Sequence, residues 1–172
     1  TQTNNNLSGV NNASGNITYS IFLTGGVSLK DPSPVLNSII ASPSGDKRGL
    51  VLLGDIIGVD DMPASSDDIN SPVLSTIRTF DDTFQDFFLL PGEKEWTSGK
   101  SRSHHAVLSL DQELKDIKKT GRLLQPKKGC GTPEEIIINE HAVLVLLDSQ
   151  WAIESENTHG EKMPGCELAN VL

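Results

Sequence analysis

The chain has 172 residues and a formal net charge of −9, from 14 basic and 23 acidic residues. This length suggests one domain with a core of its own. An acidic chain without a basic stripe is a poor nucleic-acid binder, because the phosphates would be repelled. No apolar run approaches the roughly 20 residues that a membrane-spanning helix needs, so no transmembrane segment is predicted.

The N-terminal segment 1–16 is rich in Asn, Ser, Thr and Gly. Such a segment buries too little apolar surface to offset the entropy lost on ordering. It is therefore predicted to be a flexible arm, or more specifically the spacer that follows a removed export signal or a lipidated cysteine. Residues 17–172 are predicted to form the folded domain.

The first third of the folded domain predicts two strands and a helix. Residues 17–26 form an apolar stretch that ends in a glycine turn, and a helix is expected to begin at Ser33-Pro34. Residues 49–55 form a continuous apolar run, typical of a strand buried on both faces. A polar loop follows over 58–70.

The remaining elements alternate between helix and strand. Apolar residues recur at helical spacing over 73–84, a buried strand is expected over 86–92, and a second long helix over about 103–120. Residues 134–151 are predicted to form two strands joined by a tight turn near Asn139 and Glu140. The order predicts an α/β domain with a mostly parallel sheet flanked by helices.

The two cysteines, Cys130 and Cys166, both lie in glycine-bounded, loop-like contexts. We expect them to form a disulfide, although two independent free thiols are the alternative. A disulfide places the protein in an oxidising, extracytoplasmic compartment.

Three predicted strands end in the turns TGGVS (24–28), LGDIIG (53–58) and PGEKEW (91–96), and a fourth ends in LLDSQW (146–151). This succession resembles the calcineurin-like metallophosphoesterases, especially the purple-acid-phosphatase-like branch found in exported proteins of Bacteroidetes-type bacteria. The turns of that family read Gly-Asp-x-Gly, Gly-Asp-Asn-x-Tyr and Gly-Asn-His-Asp/Glu. The resemblance implies the first half of a metallophosphoesterase-like sandwich.

Family members hold two metal ions that activate water and clamp a phosphate. Carried over residue by residue, most of the corresponding ligand positions have changed. Gly26 stands where an Asp ligand belongs, Gly58 where a Tyr belongs, Glu93 replaces an Asn, and Lys94 replaces a His. Asp55 matches the bridging carboxylate. The resemblance thus implies a metal site that has lost most of its ligands.

The expected product of these changes is a pseudoenzyme without catalytic residues or cofactor. Glu95 matches a supporting acid of the family, and Lys94 is expected to pair with Asp55 or Glu93. The alternative is an active metal-dependent phosphoesterase in which Asp55 and Glu93 bind one divalent metal weakly.

Analogy with the exported branch implies protein partners, such as an outer-membrane barrel or a lipoprotein complex. The expected location is extracytoplasmic, on the periplasmic or cell-surface side of the outer membrane. The family's later ligands, a His and a Gly-His-x-His turn, do not follow Trp151. The domain is therefore expected to be the N-terminal part of a longer chain.

Other polar groups are interpreted as surface features. His104 and His105 are expected at an exposed helix start, and His141 in a turn or on the surface. A solvated acidic loop is expected from four residues: Asp60, Asp61, Asp67 and Asp68.

Overall fold

The computed structural model describes residues 17–30, 34–42, 47–63, 68, 70–98, 101–115, 117, 123–157 and 166. This part of the chain is a mixed α/β structure around a three-stranded parallel sheet in the order β1–β2–β3. The predicted arm, 1–16, lies outside the described residues.

The predicted strands and helices occur in the predicted order. The elements are β1 (Tyr19–Thr24), α1 (Pro34–Ala41), β2 (Lys47–Leu53), α2 (Pro72–Thr83), β3 (Asp86–Leu90), β4 (Thr97–Ser98), β5 (Ser101–Arg102), α3 (His104–Leu114), β6 (Glu134–Asn139), β7 (Ala142–Leu146) and α4 (Ser149–Asn157). Of these, β4, β5 and α4 were not predicted, and α3 is assigned over fewer residues than the expected 103–120. Short 3-10 turns occupy Val59–Asp61 and Lys127–Gly129.

The two faces of the parallel sheet are covered differently. Leu50 and Leu52 of β2 belong to the main apolar core, which also contains residues of α1, α2 and α3. Val51, between them, belongs instead to a second cluster with Phe88 and Leu90 of β3. This division follows from the alternation of side chains along a strand. It explains why the central strands are apolar at successive positions.

Helix α2 illustrates how the sequence determines an element. Ser71 caps its start by accepting a hydrogen bond from the Leu74 N–H at 3.3 Å, and Pro72 occupies the first turn. The side chains predicted for its apolar face are buried: Val73, Ile77, Phe80 and, just beyond the helix, Phe84.

The strand expected to end in LLDSQW is β7, and it does not join the parallel sheet. It pairs antiparallel with β6 in a separate two-stranded sheet. The short turn at Glu140 and His141 explains the antiparallel pairing with β6, since a two-residue connection permits only this arrangement. Leu146 of this β6–β7 hairpin packs on Val51 and its neighbours, opposite the helices.

A short segment after α3 extends the parallel sheet beyond β3. Leu124 forms a parallel bridge with Leu89. The Leu89 N–H donates to the Leu123 carbonyl and the Gln125 N–H donates to the Leu89 carbonyl, each at 2.8 Å. This segment leads directly to Cys130, which forms the expected disulfide with Cys166.

Among the described residues, no helix combines the length and apolar character needed to cross a membrane.

Candidate functional site at the carboxyl ends of the parallel strands

The turns that follow β2 and β3 meet at one edge of the sheet, because parallel strands end on the same side. We call residues 54–58 and 91–96 together the strand-end junction. Gly92 is required there: a Cβ atom at this position would lie 2.6 Å from the Asp55 backbone nitrogen. The turn after β1 joins the junction through Gly26, whose N–H donates to the Gly54 carbonyl at 3.0 Å.

The Glu95 side chain holds the two turns of the junction together by hydrogen bonds. Its side chain is fully buried. One carboxylate oxygen, Oε1, accepts the N–H groups of Ile56 and Ile57 at 2.7 and 2.9 Å. The other, Oε2, accepts those of Asp55 and Gly92 at 2.9 and 2.8 Å. Both oxygens therefore accept backbone N–H groups. Three of these groups belong to the turn after β2, and one belongs to the turn after β3, which contains Glu95 itself.

Asp55 makes a second link between the two turns, because it lies in the turn after β2 and accepts a hydrogen bond from the turn after β3. Its Oδ1 accepts the Lys94 N–H at 3.0 Å. Its backbone lies in the left-handed region, with φ of 58°, which Asp tolerates better than most residues. The side chain is exposed, so Asp55 remains accessible while taking part in the turn.

Lys94 makes an ion pair that the sequence did not predict. Its ammonium group lies 2.7 Å from Asp61 Oδ2, and the ammonium group of Lys30 lies 2.6 Å from Asp61 Oδ1. The Gly58 N–H also donates to Asp61 at 3.0 Å. Asp61 is therefore not the solvated loop residue that was expected, because two cations and a backbone N–H converge on it.

These contacts change the acidity of Asp61. Partial burial alone would raise the pKa of this carboxyl group. The hydrogen bonds from Lys30, Lys94 and the Gly58 N–H outweigh burial and hold the pKa well below its usual range. Asp61 is consequently charged throughout the physiological range.

The residues present do not fit a dinuclear metal centre. Gly26 and Gly58 offer no side-chain ligand, and the Lys94 ammonium group is held beside Asp61. Of the five positions carried over from the resemblance, only Asp55 and Glu93 carry oxygen ligands. Two divalent ions need several converging ligands each, so this donor set is too small.

A buried polar contact links the junction to α4. The Trp96 indole N–H donates to Asp148 Oδ2 at 3.2 Å, and Asp148 Oδ1 accepts the Trp151 N–H at 3.0 Å, capping the helix. Burial raises the pKa of Asp148 to about 6, and the charge of Glu95 adds to the effect, although the N–H donors oppose it.

His104 was expected at an exposed helix start, and this is wrong. It begins α3 but is only 7% exposed, with its ring 5.6 Å from that of Trp96. His105, the next residue, is exposed as expected. Adjacent helical residues point about 100° apart, which explains why the two differ.

His104 also lies against the disulfide. Its Nε2 is 2.7 Å from the Lys128 carbonyl oxygen and 3.6 Å from Cys166 Sγ. Potential ligand atoms of His104, Cys130 and Cys166 all lie within 4.8 Å of one another. Since the two sulfurs are bonded to each other, we interpret the cluster as a histidine that packs against a disulfide. Burial lowers the pKa of His104, so the ring is neutral at pH 7.

Sequence reasoning missed Asp148 and the full role of Glu95. A signal existed for Asp148, because Asp followed by Ser-Gln-Trp is a plausible helix N-cap. The role of Glu95 depends on contacts across 38 to 40 positions of sequence. No local pattern reveals such contacts.

Comparison with family models, with curated proteins and with solved structures finds no match for this chain.

Proposed function

We propose that this protein is a non-catalytic module with a metallophosphoesterase-like frame that binds other proteins. The observation that carries the proposal is the donor set at the strand-end junction: Gly26 and Gly58 offer no side-chain ligand, and the Lys94 ammonium group pairs with Asp61 at 2.7 Å. The buried Glu95 carboxylate accepts four backbone N–H groups, so the turns keep their geometry without these ligands.

The neighbouring charges support the same proposal. Asp55 accepts the Lys94 N–H, and the Lys94 ammonium group pairs with Asp61. A phosphate entering the junction would have to compete with Asp61 for the cations. A divalent metal would have to bind beside the Lys94 ammonium group, whose charge repels it.

The disulfide supports the proposed compartment. The Cys130–Cys166 bond favours an oxidising, extracytoplasmic environment. The proposed role is that of a binding or scaffolding component of an exported complex, with an outer-membrane barrel or a lipoprotein assembly as the partner. This last step rests on analogy with the exported branch that the sequence resembles.

The test is hydrolysis of a phosphomonoester by the purified protein, after treatment with chelator and addition of Mn²⁺, Zn²⁺ or Fe²⁺. The proposal predicts the same background rate for the parent protein and for Asp55→Asn. Asparagine keeps an oxygen acceptor and tolerates the left-handed backbone, so this variant should remain folded. Turnover that Asp55→Asn abolishes would establish the alternative, a phosphoesterase with a reduced metal site.

The binding role itself is tested by a pull-down from native membranes with identification of the chains that co-purify. The proposal predicts an envelope protein recovered in stoichiometric amount. Recovery of the protein alone at low and moderate salt would contradict the proposal.

A further inference from the structure

The β6–β7 hairpin exposes apolar side chains on the face turned away from the parallel sheet. Ile137, Val143 and Val145 are 77%, 54% and 57% exposed. We call these three residues the outer hairpin face. Ile137 lies directly opposite Val143 in the antiparallel register, so their side chains form a continuous apolar surface.

The opposite face of the hairpin is already occupied. Leu146 is buried with Val51, Phe88 and Leu90, and Ile136 and Leu144 pack against them. The alternation of side chains therefore commits one face to the domain core and leaves the other to solvent. Among the residues that the structure describes, none of the three side chains of the outer hairpin face belongs to a buried cluster.

β7 lacks the features that protect exposed strands in isolated proteins. Its sequence, Ala142–Leu146, contains no charged residue and no proline. Charges, prolines or bulges normally protect exposed edge strands, because an edge strand without them can pair with a strand of another chain. The register shift in this hairpin falls between Ile137 and Asn139 of β6, close to the turn. Within the described part of the chain, β7 pairs only with β6, so its other edge carries no partner strand.

The charges around this surface are mainly acidic. Glu135 lies opposite Val145 in the register and is exposed. The Glu140 side chain in the turn is 83% exposed, with the exposed His141 Nε2 3.3 Å from its Oε1. The nearby Lys127 ammonium group is 2.8 Å from Glu134 and is neutralised by it. An apolar surface with carboxylates at both ends complements an apolar partner segment with cations at both ends.

A second copy of this chain fits the surface poorly. Self-association through the outer hairpin face would bring Glu135 and Glu140 of one copy near those of the other, in a protein with a net charge of −9. Like charges brought together across an interface oppose binding. The charges therefore favour a partner with a different sequence.

We infer that the outer hairpin face docks an extended segment of a partner protein, in which alternating apolar residues are flanked by lysine or arginine. The segment would bury Ile137, Val143 and Val145, while its cations would meet Glu135 and Glu140. This inference rests on the proposed binding function and names the surface that performs it.

The experiment uses a synthetic peptide of alternating valine and threonine with two lysines at each end. Binding is followed by backbone amide chemical shifts of the isotopically labelled full chain. We expect shift changes concentrated in residues 134–147. We also expect at least tenfold weaker binding of a peptide whose terminal lysines are replaced by glutamates.

Variants separate the apolar and charged contributions. Val143→Asp should weaken binding of the lysine peptide at least tenfold. Val35→Asp, at a similarly exposed valine on α1, should leave it unchanged. The double variant Glu135→Lys and Glu140→Lys should reverse the preference toward the glutamate peptide. This double change lies on exposed side chains and does not depend on the folding of Val143→Asp.

Three results would overturn the inference: peptide-induced shifts outside the hairpin, no preference for lysine, or equal effects of Val143→Asp and Val35→Asp. A concentration-dependent dimer that Val143→Asp dissociates would instead identify a second copy as the occupant. Each of these results is independent of phosphomonoester hydrolysis. Failure of this inference is therefore distinguishable from failure of the proposed function.

Discussion

Glu95 is a charged side chain without solvent exposure, and such a burial is tolerated only when hydrogen bonds replace the lost water. Four backbone N–H groups do so here. Hydrogen bonds to a charged acceptor are about twice as strong as neutral ones, and these four join two turns that follow different strands. Glu95 is thus a residue on which the geometry of the strand-end junction depends.

Replacing Glu95 by glutamine should destabilise the protein by about 3 kcal/mol or more. The amide keeps one oxygen acceptor and places an NH₂ donor against two N–H donors. The free energy of unfolding in urea, followed by tryptophan fluorescence, measures this loss. Glu93→Gln, two positions earlier and exposed, should change it by no more than about 0.5 kcal/mol. Equal effects of the two variants would contradict the role assigned to Glu95.

Asp148 makes stability depend on pH in the mildly acidic range. Its pKa is raised by burial from the usual value of 3.8 to about 6 in the folded protein. The folded state therefore holds this proton more tightly than the unfolded chain does. The stabilisation from the proton is fully present below about pH 4 and is lost as the pH rises through 6, an effect of about 3 kcal/mol.

Asp148→Asn should remove this contribution. Measured between pH 4 and 7, the free energy of unfolding of the parent should fall relative to that of the variant as the pH rises. The amide loses one hydrogen bond to Trp96 or Trp151 at every pH, so the variant's curve should be lower at pH 4 but flatter. Asp82→Asn, at an exposed position of α2, should follow the parent. A variant curve parallel to the parent's would show that Asp148 does not titrate in this range.

The disulfide anchors the segment that leads into the β6–β7 hairpin. Cys130 lies between the segment that extends the parallel sheet and β6, and its partner is 36 positions further on. A link over this length stabilises mainly by restricting the unfolded chain. Its packing against His104 ties it to the start of α3.

Reduction of this disulfide should lower the free energy of unfolding by roughly 3–4 kcal/mol in the chain-entropy model. The measurement compares urea unfolding of the parent with and without a phosphine reductant. The double variant Cys130→Ser and Cys166→Ser should match the reduced parent and should not respond to the reductant. Equal stability of the oxidised and reduced parent would contradict this expectation.

Individual elements were largely predictable, but their layering was not. β2 and β3 are continuous apolar runs, and α2 has a helical apolar pattern with a clear cap, so each carries its own signal. β6 and β7 also carry a strand signal. Whether the hairpin joins the sheet or lies on its face depends on contacts such as Leu146 with Val51, which are remote in sequence.

Over the whole molecule, the placement of the candidate site was easier to predict than the roles of its residues. Parallel strands bring the turns containing Gly26, Asp55 and Glu93 to one edge, as the order of elements implied. The pairing of Lys94 with Asp61 was missed, because a 3-10 turn after β2 brings Asp61 back to the junction. Sequence spacing alone does not show that the chain returns to the junction at Asp61.

Hydrogen bonds to the carboxylates of Glu95 and Asp55 hold the strand-end junction together, and the proposed function needs no metal there. The most direct measurement is the thermal unfolding midpoint of the chelator-treated protein, with and without Mn²⁺ at about 1 mM. A ligand at 100 times its Kd would stabilise the folded state by about 2.7 kcal/mol. We expect the same midpoint in both samples. A rise of several degrees that Asp55→Asn abolishes would contradict it.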